Sequence, residues 1–151
     1  MYKLRIAKLD DAEITYKWVN DSIIRQFSFS KGKIEWSKHY EWFQQKIYSD
    51  QCVYLILEDD SNKKIGSIRF DLDKDYCWVI NYLLDSSFHG QGIGGFLLRE
   101  GIDKLVEMIP NIQTFCGIVL KSNGASIRIF EKLGFICVLS DYSTMKFIKK
   151  V

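Results

Sequence analysis

The sequence predicts an α+β fold: one domain over residues 1–151, with a mixed sheet of about seven strands and four helices in the order β-α-α-β-β-β-α-β-α-β-β. Two observations carry this. Three strand-like runs separated only by turn residues lie between Cys52 and Leu84, which makes an antiparallel meander. A glycine-rich loop, a helical run and another strand follow, and that is the β-α-β crossover that puts a parallel pair into the sheet.

The elements follow in order. Lys3–Lys8 is a short first strand. Asp10-Asp11-Ala12-Glu13 supplies a cap residue with an acid three positions on, so a helix starts there and runs to about Asn20, where Asn20-Asp21-Ser22 breaks it. Ile34–Tyr48 is the next helix, with Trp36, Tyr40, Phe43 and Ile47 on one stripe. Cys52–Glu58, Ile65–Asp71 and Tyr76–Leu84 are the meander strands, turned by Asp59–Asn62 and by Asp73-Lys74-Asp75. Ile93, Phe96, Leu97, Leu105 and Met108 form the buried stripe of a helix. Ile112–Leu120 is a strand, Asn123–Leu133 a helix stopped by Gly134, and Phe135–Leu139 and Thr144–Lys149 close the sheet.

Composition narrows the class. The chain is 47% hydrophobic and 26% charged with a single proline, which excludes disorder and fibrous repeats. A formal charge of +2 argues against a dedicated nucleic-acid or membrane-surface binder. No apolar run approaches the ~20 residues that span a bilayer, and no leader is evident, so a cytoplasmic protein is expected. Cys52, Cys77, Cys116 and Cys137 sit in apolar runs without metal-ligand spacing and read as small buried hydrophobes; His39 and His89 stand alone. No metal is expected.

The chemistry concentrates in His89-Gly90-Gln91-Gly92-Ile93-Gly94-Gly95, between a strand and a helix start. Glycines there let a ligand approach the main chain, and the free N–H groups of the first helical turn favour an anion. Gly90, Gly92 and Gly95 satisfy G-x-G-x-x-G, but the loop follows a meander and Gln113–Leu120 contains no acid to hold a ribose. A P-loop would need G-K-[ST], which is missing.

The loop resembles the pyrophosphate motif [QR]-x-x-G-x-[GA] of the GNAT superfamily of acetyl-CoA-dependent N-acetyltransferases, with His89 in place of the usual Gln or Arg. Asn81-Tyr82-Leu83-Leu84 matches the family's splayed strand, and Asn123-Gly124-Ala125-Ser126 to Phe130-Glu131-Lys132-Leu133-Gly134-Phe135 matches its N-x-x-[AS] … E-K-L-G-F ending. The resemblance covers nearly the whole chain and implies a GNAT-like sheet. It implies acetyl-CoA as co-substrate, held by Tyr82, Leu83, Leu84, His89 to Gly95, Asn123, Ser126, Phe130 and Lys132. It also implies direct amine attack on the thioester, with the N–H near Leu83 or Leu84 stabilising the oxyanion and Asn123 near the sulfur. Phe130 stands where many members place a Tyr acid, and neither Val79 nor its neighbours supply the usual Glu base.

A missing base favours an amine that deprotonates cheaply. A lysine amine costs about 4–5 kcal/mol to deprotonate at pH 7, an α-amine about 1. The segment Trp18-Val19-Asn20-Asp21, Arg25 to Ser30 and His39 to Phe43 resembles that of amino-sugar N-acetyltransferases of bacterial nonulosonic-acid pathways, which act on nucleotide-linked sugars. Arg25, Ser28, His39, Ser67, Arg69 and Asp71 are the acceptor candidates, with Asp71 as a proton relay through water. The partner is then a small molecule, with the chain a monomer or homodimer. An N-terminal protein acetyltransferase of the ribosomal type, and a GNAT-like module that holds acetyl-CoA without turnover, are the alternatives.

Overall fold

A computed structural model describes all 151 residues. Its elements are β1 (Tyr2–Ile6), α1 (Ala12–Val19), α2 (Ser22–Arg25), α3 (Trp36–Tyr48), β2 (Cys52–Asp59), β3 (Lys64–Leu72), β4 (Trp78–Leu84), α4 (Ile93–Met108), β5 (Thr114–Leu120), α5 (Gly124–Lys132), β6 (Ile136–Ser140) and β7 (Thr144–Lys150). One seven-stranded sheet runs β1-β2-β3-β4-β5-β7-β6. Every neighbouring pair is antiparallel except β4 and β5.

Strand alternation divides the core between the two faces of the sheet. Leu55, Leu57, Ile68, Phe70, Trp78, Ile80 and Leu84 join Leu97, Leu98 and Leu105 of α4 in the larger cluster. Ala7, Tyr54 and Ile56 meet Ala12 and Phe43 on the opposite face, under α1 and α3. Gly101 lets α4 lie close on the sheet: a Cβ there would stand 2.8 Å from Ile68 Cδ1. No helix is long and apolar enough to cross a membrane.

The sequence reading needs five corrections. A fifth helix, α2, follows the break at Asn20, because Asp21 Oδ1 accepts the Ile23 N–H at 2.8 Å and restarts the spiral. A 3₁₀ turn, Leu9–Asp11, precedes α1, and Asp11, not Asp10, turns its carboxylate back to the Lys8 N–H. Helix α3 begins at Trp36, because Asn20 holds Ile34 extended by bonds to both its N–H and its carbonyl. Its buried face is His39 and Phe43, with Trp36 43% exposed at the rim; on α4, Met108 is likewise exposed. Among the cysteines only Cys77 and Cys116 are buried, while Cys137 is exposed on the edge strand β6.

A carboxylate lies under the β1–α1 corner. Asp11, 1% exposed, meets Arg5 at 2.8 Å and Lys64 at 2.6 Å. Burial pushes its carboxyl up, but the bonds from Arg5 and Lys64 outweigh this and hold it at about 2.

Candidate active site

The parallel pair β4–β5 is joined only at its start. Trp78 faces Phe115 and Val79 faces Cys116, and no pairing follows. Each strand stays paired on its other side, β4 to β3 up to Leu84 and β5 to β7 up to Leu120. The sheet therefore opens between them in a wedge whose walls are Ile80–Leu84 and Gly117–Leu120.

Above the wedge, the glycine loop enters α4 as the spacing demands. Gly90 and Gly92 take φ of 77° and 79°, in the left-handed region that favours glycine. Gly92 is the cap residue and no side chain caps the helix, so the first-turn amides of Ile93, Gly94 and Gly95 point outward with the helix dipole behind them. The glycines are not equivalent. A Cβ on Gly94 would stand 3.1 Å from Ile129 Cδ1, so this residue lets α4 approach α5, whereas Gly95 opens on empty space.

The start of α5 closes the other side. Asn123 Oδ1 accepts the Ser126 N–H at 3.2 Å, and the Ser126 hydroxyl meets the Tyr82 hydroxyl at 2.8 Å, bridging α5 to β4. Burial pushes the Tyr82 phenol above its ordinary range, so it keeps its proton. His89 lies 2.9 Å from the Leu84 carbonyl and fixes the end of β4. Phe130 is 2% exposed, stacked on Phe147 at 5.5 Å and pressed against Gly117; its ring serves the core. Gln91 and Lys132 are exposed.

On the face of α3, Ser67, Arg69 and Asp71 share the side of the sheet with Tyr54 and Asn81. They do not face open solvent. The Arg69 guanidinium lies over Trp42 at 4.8 Å and Tyr54 at 5.8 Å. Asp71 is gripped by Lys46 and Arg69, each at 2.8 Å. Burial would raise its carboxyl, but the charge of Arg69 and the bond from Lys46 hold it below the usual range. Burial likewise pushes the Tyr54 phenol up to about 12.

Three acceptor candidates lie elsewhere. His39 is buried between α1 and α3, its Nε2 3.0 Å from Thr15 Oγ1, among the rings of Tyr16, Trp36, Trp42 and Phe43. Burial lowers its pKa and keeps it neutral. Arg25 donates to the carbonyls of Ser30 and Gly32, and so folds its own loop around half-buried Ser28. Sequence reasoning missed Lys46 as the partner of Asp71, although Trp42 and Lys46 stand at i, i+4 on one helix face, the signal that could have found it. It also missed a fastening between the end of α1 and the β4–α4 loop: Trp18 Nε1 donates to Asp85 Oδ2 at 3.1 Å and Ser86 Oγ to Asp21 Oδ2 at 3.1 Å.

The acetyltransferase (GNAT) domain family matches residues 3–136. The chain belongs to the GNAT acetyltransferase family. The family is described as acetyltransferases, and in this chain its domain carries the seven-stranded sheet that opens between β4 and β5. An uncharacterised Methanocaldococcus jannaschii protein is 25% identical over 130 residues, 83% of this chain, and the chain spans only 26% of that relative's length. A domain from M. jannaschii superposes with a TM-score of 0.86 at 22% identity over 100% of this chain and 99% of that one. The spermidine N-acetyltransferase of Vibrio cholerae, solved with CoA and spermine, gives 0.86 at 14% identity over 99% and 95%.

Proposed function

We propose that this GNAT domain acetylates the amine of an amino sugar, carried on a nucleotide, by direct attack on acetyl-CoA inside the wedge. The observation that carries the reading is the opening of β4 from β5 beneath uncapped helix amides. The pyrophosphate sits on the amides of Gln91 to Gly95, and pantetheine runs along Tyr82–Leu84 in place of the missing strand pairs. The N–H near Leu84 meets the developing oxyanion. Asn123 and Ser126 present the start of α5 to the thioester end, and the proton-bearing Tyr82–Ser126 pair stands where Phe130 offers no acid.

The acceptor reading rests on charge and on proton cost. Two cations, Lys46 and Arg69, stand against the single carboxylate of Asp71, which disfavours a polycation such as a polyamine and suits the phosphates of a nucleotide. Asp71, held ionised by both, is a weak base and acts by positioning Arg69. An amine near pKa 8 then fits better than one near 10, which would add about 3 kcal/mol at pH 7. Exposed Phe27, Phe29 and Trp36 offer ring faces for a sugar or base.

The test is acetyl transfer from acetyl-CoA to a UDP-linked amino sugar, spermidine and a peptide α-amine, assayed side by side. Product on the sugar with the other two silent is the expected result. Product on the peptide alone transfers the assignment to N-terminal acetylation, and no product with acetyl-CoA bound leaves a non-catalytic module.

A further inference from the structure

We propose that Asp73, Cys77 and Cys116 form a site for a thiophilic divalent cation of the zinc type, at the closed end of the wedge and apart from the acetyl-transfer machinery. Their ligand atoms, one carboxylate oxygen and two Sγ, all lie within 4.8 Å of one another. Cys77 is 8% exposed and Cys116 1%, so the sulfurs meet in a nearly dry place. Two stretches of chain supply the ligands: the β3–β4 turn, which carries Asp73 and Cys77, and β5, which carries Cys116.

The turn is built to present its carboxylate there. Asp73 Oδ1 accepts the N–H groups of Asp75 and Cys77, each at 2.9 Å, which leaves Oδ2 for another partner. The Asp73 N–H is bonded in turn to the Cys77 carbonyl at 2.9 Å, so the two residues are locked side by side. Lys146 places a positive charge near Cys77. Two thiolates, a carboxylate, a divalent cation and that ammonium sum to zero.

A disulfide is the competing use of two facing thiols, and strand register disfavours it. Val79, not Cys77, stands opposite Cys116. Cys77 is two residues out of register with Cys116, and about 6.6 Å along a parallel strand combined with about 4.8 Å between strands separates the Cα atoms by about 8 Å, beyond the Cα separations of about 4.4–6.8 Å that a disulfide usually spans. A metal with bonds of about 2.3 Å to each sulfur spans up to about 4.6 Å, on the scale of the 4.8 Å within which the ligand atoms lie. The mixed sulfur and oxygen set selects zinc-like ions over Mg²⁺ or Ca²⁺, and water fills the fourth position. Binding breaks both S–H bonds, forms two metal–sulfur bonds, and releases the two protons to solvent.

The experiment uses the whole chain, reduced and treated with chelator, titrated with Cd²⁺ alone. The expected result is a thiolate-to-metal charge-transfer band that saturates at one ion per chain, with about two protons released per ion. Cys77 and Cys116 become protected from a thiol reagent while Cys137 stays reactive. Cys116→Ser should abolish the band, and Asp73→Asn, which keeps the turn's acceptor oxygen, should weaken binding by about tenfold or more. The proposal falls if the native chain shows no band, if Cys116→Ser keeps it, or if mapping places the protected thiols at Cys52 and Cys137. Acetyl-transfer activity enters none of these readouts, so this site and the proposed function fail separately.

Discussion

The proposed cofactor wall and the proposed acceptor wall of the site use different parts of the chain. The cofactor wall works through the backbone: amides at the start of α4, left-handed glycines, and the unpaired edge of β4. On the proposed acceptor wall side chains would do the work, and the fold already engages most of them. Asp71 holds Lys46 and Arg69, Arg25 holds its own loop, and His39 holds Thr15. Backbone recognition leaves a short, spaced signature of small residues. Side-chain recognition shares its residues with packing, so under the proposed function the same arginine would serve structure and ligand.

The sharpest way to break the contrast is a charge placed on the backbone wall. Gly95 is the third residue of α4 and opens on empty space, so Gly95→Asp fits sterically and suits the helix dipole. Opposed to a pyrophosphate, it should raise the acetyl-CoA Kd about 100-fold with Tm unchanged or higher. Calorimetry and thermal melts check this, with Gly95→Ala as the neutral control. Unchanged affinity would move the pyrophosphate away from α4.

Gly117 tests whether the cofactor wall depends on core packing. A Cβ there would stand 2.5 Å from the Phe130 ring, and both ring and strand are hemmed in. Gly117→Ala should cost about 1–3 kcal/mol in denaturant unfolding. A neutral result would mean that Phe130 shifts freely and is not a fixed part of the core.

On the acceptor wall the expected effects are smaller. Arg69→Ala should raise the acceptor KM about tenfold, as for one lost charge-assisted bond, and leave acetyl-CoA affinity alone. Equal losses for both substrates would make Arg69 structural only. The smallest effect belongs to His39, whose pKa burial lowers from 6.5. The unfolded chain takes up that proton first, so His39 stabilises the fold above about pH 6.5 and the contribution fades as pH falls through that value. Melts at about pH 7.5 and 5.5 should show a larger drop in Tm for the native chain than for His39→Gln. Identical drops would place the titration elsewhere.

Legibility followed the same division. The meander, the crossover and the glycine loop were readable because alternation and spacing are local properties, and each element from β2 to β7 lies within a few residues of its sequence position. Boundaries slipped where a side chain reached across the chain: Asn20 holding Ile34 out of α3, or Tyr76 entering the turn at φ 59° instead of starting β4. Of the acceptor candidates, Ser67, Arg69 and Asp71 were correctly assigned to one face by period-two alternation. What that face meets was hidden, since Lys46 and Trp42 come from a helix about 25 residues away in sequence.

The ties between Trp18 and Asp85 and between Asp21 and Ser86 fasten the turn that opens the 21–35 segment to the loop that leads into the glycines. Under the proposed function these ties link the acceptor segment to the cofactor loop. An acceptor that settled the 21–35 segment would then steady the approach to α4, and filling the α4 amides would steady that segment in return. Linkage makes the exchange symmetrical: whatever factor one substrate adds to the other's equilibrium affinity is returned in full. Cutting the tie between Trp18 and Asp85 would weaken that exchange in both directions alike.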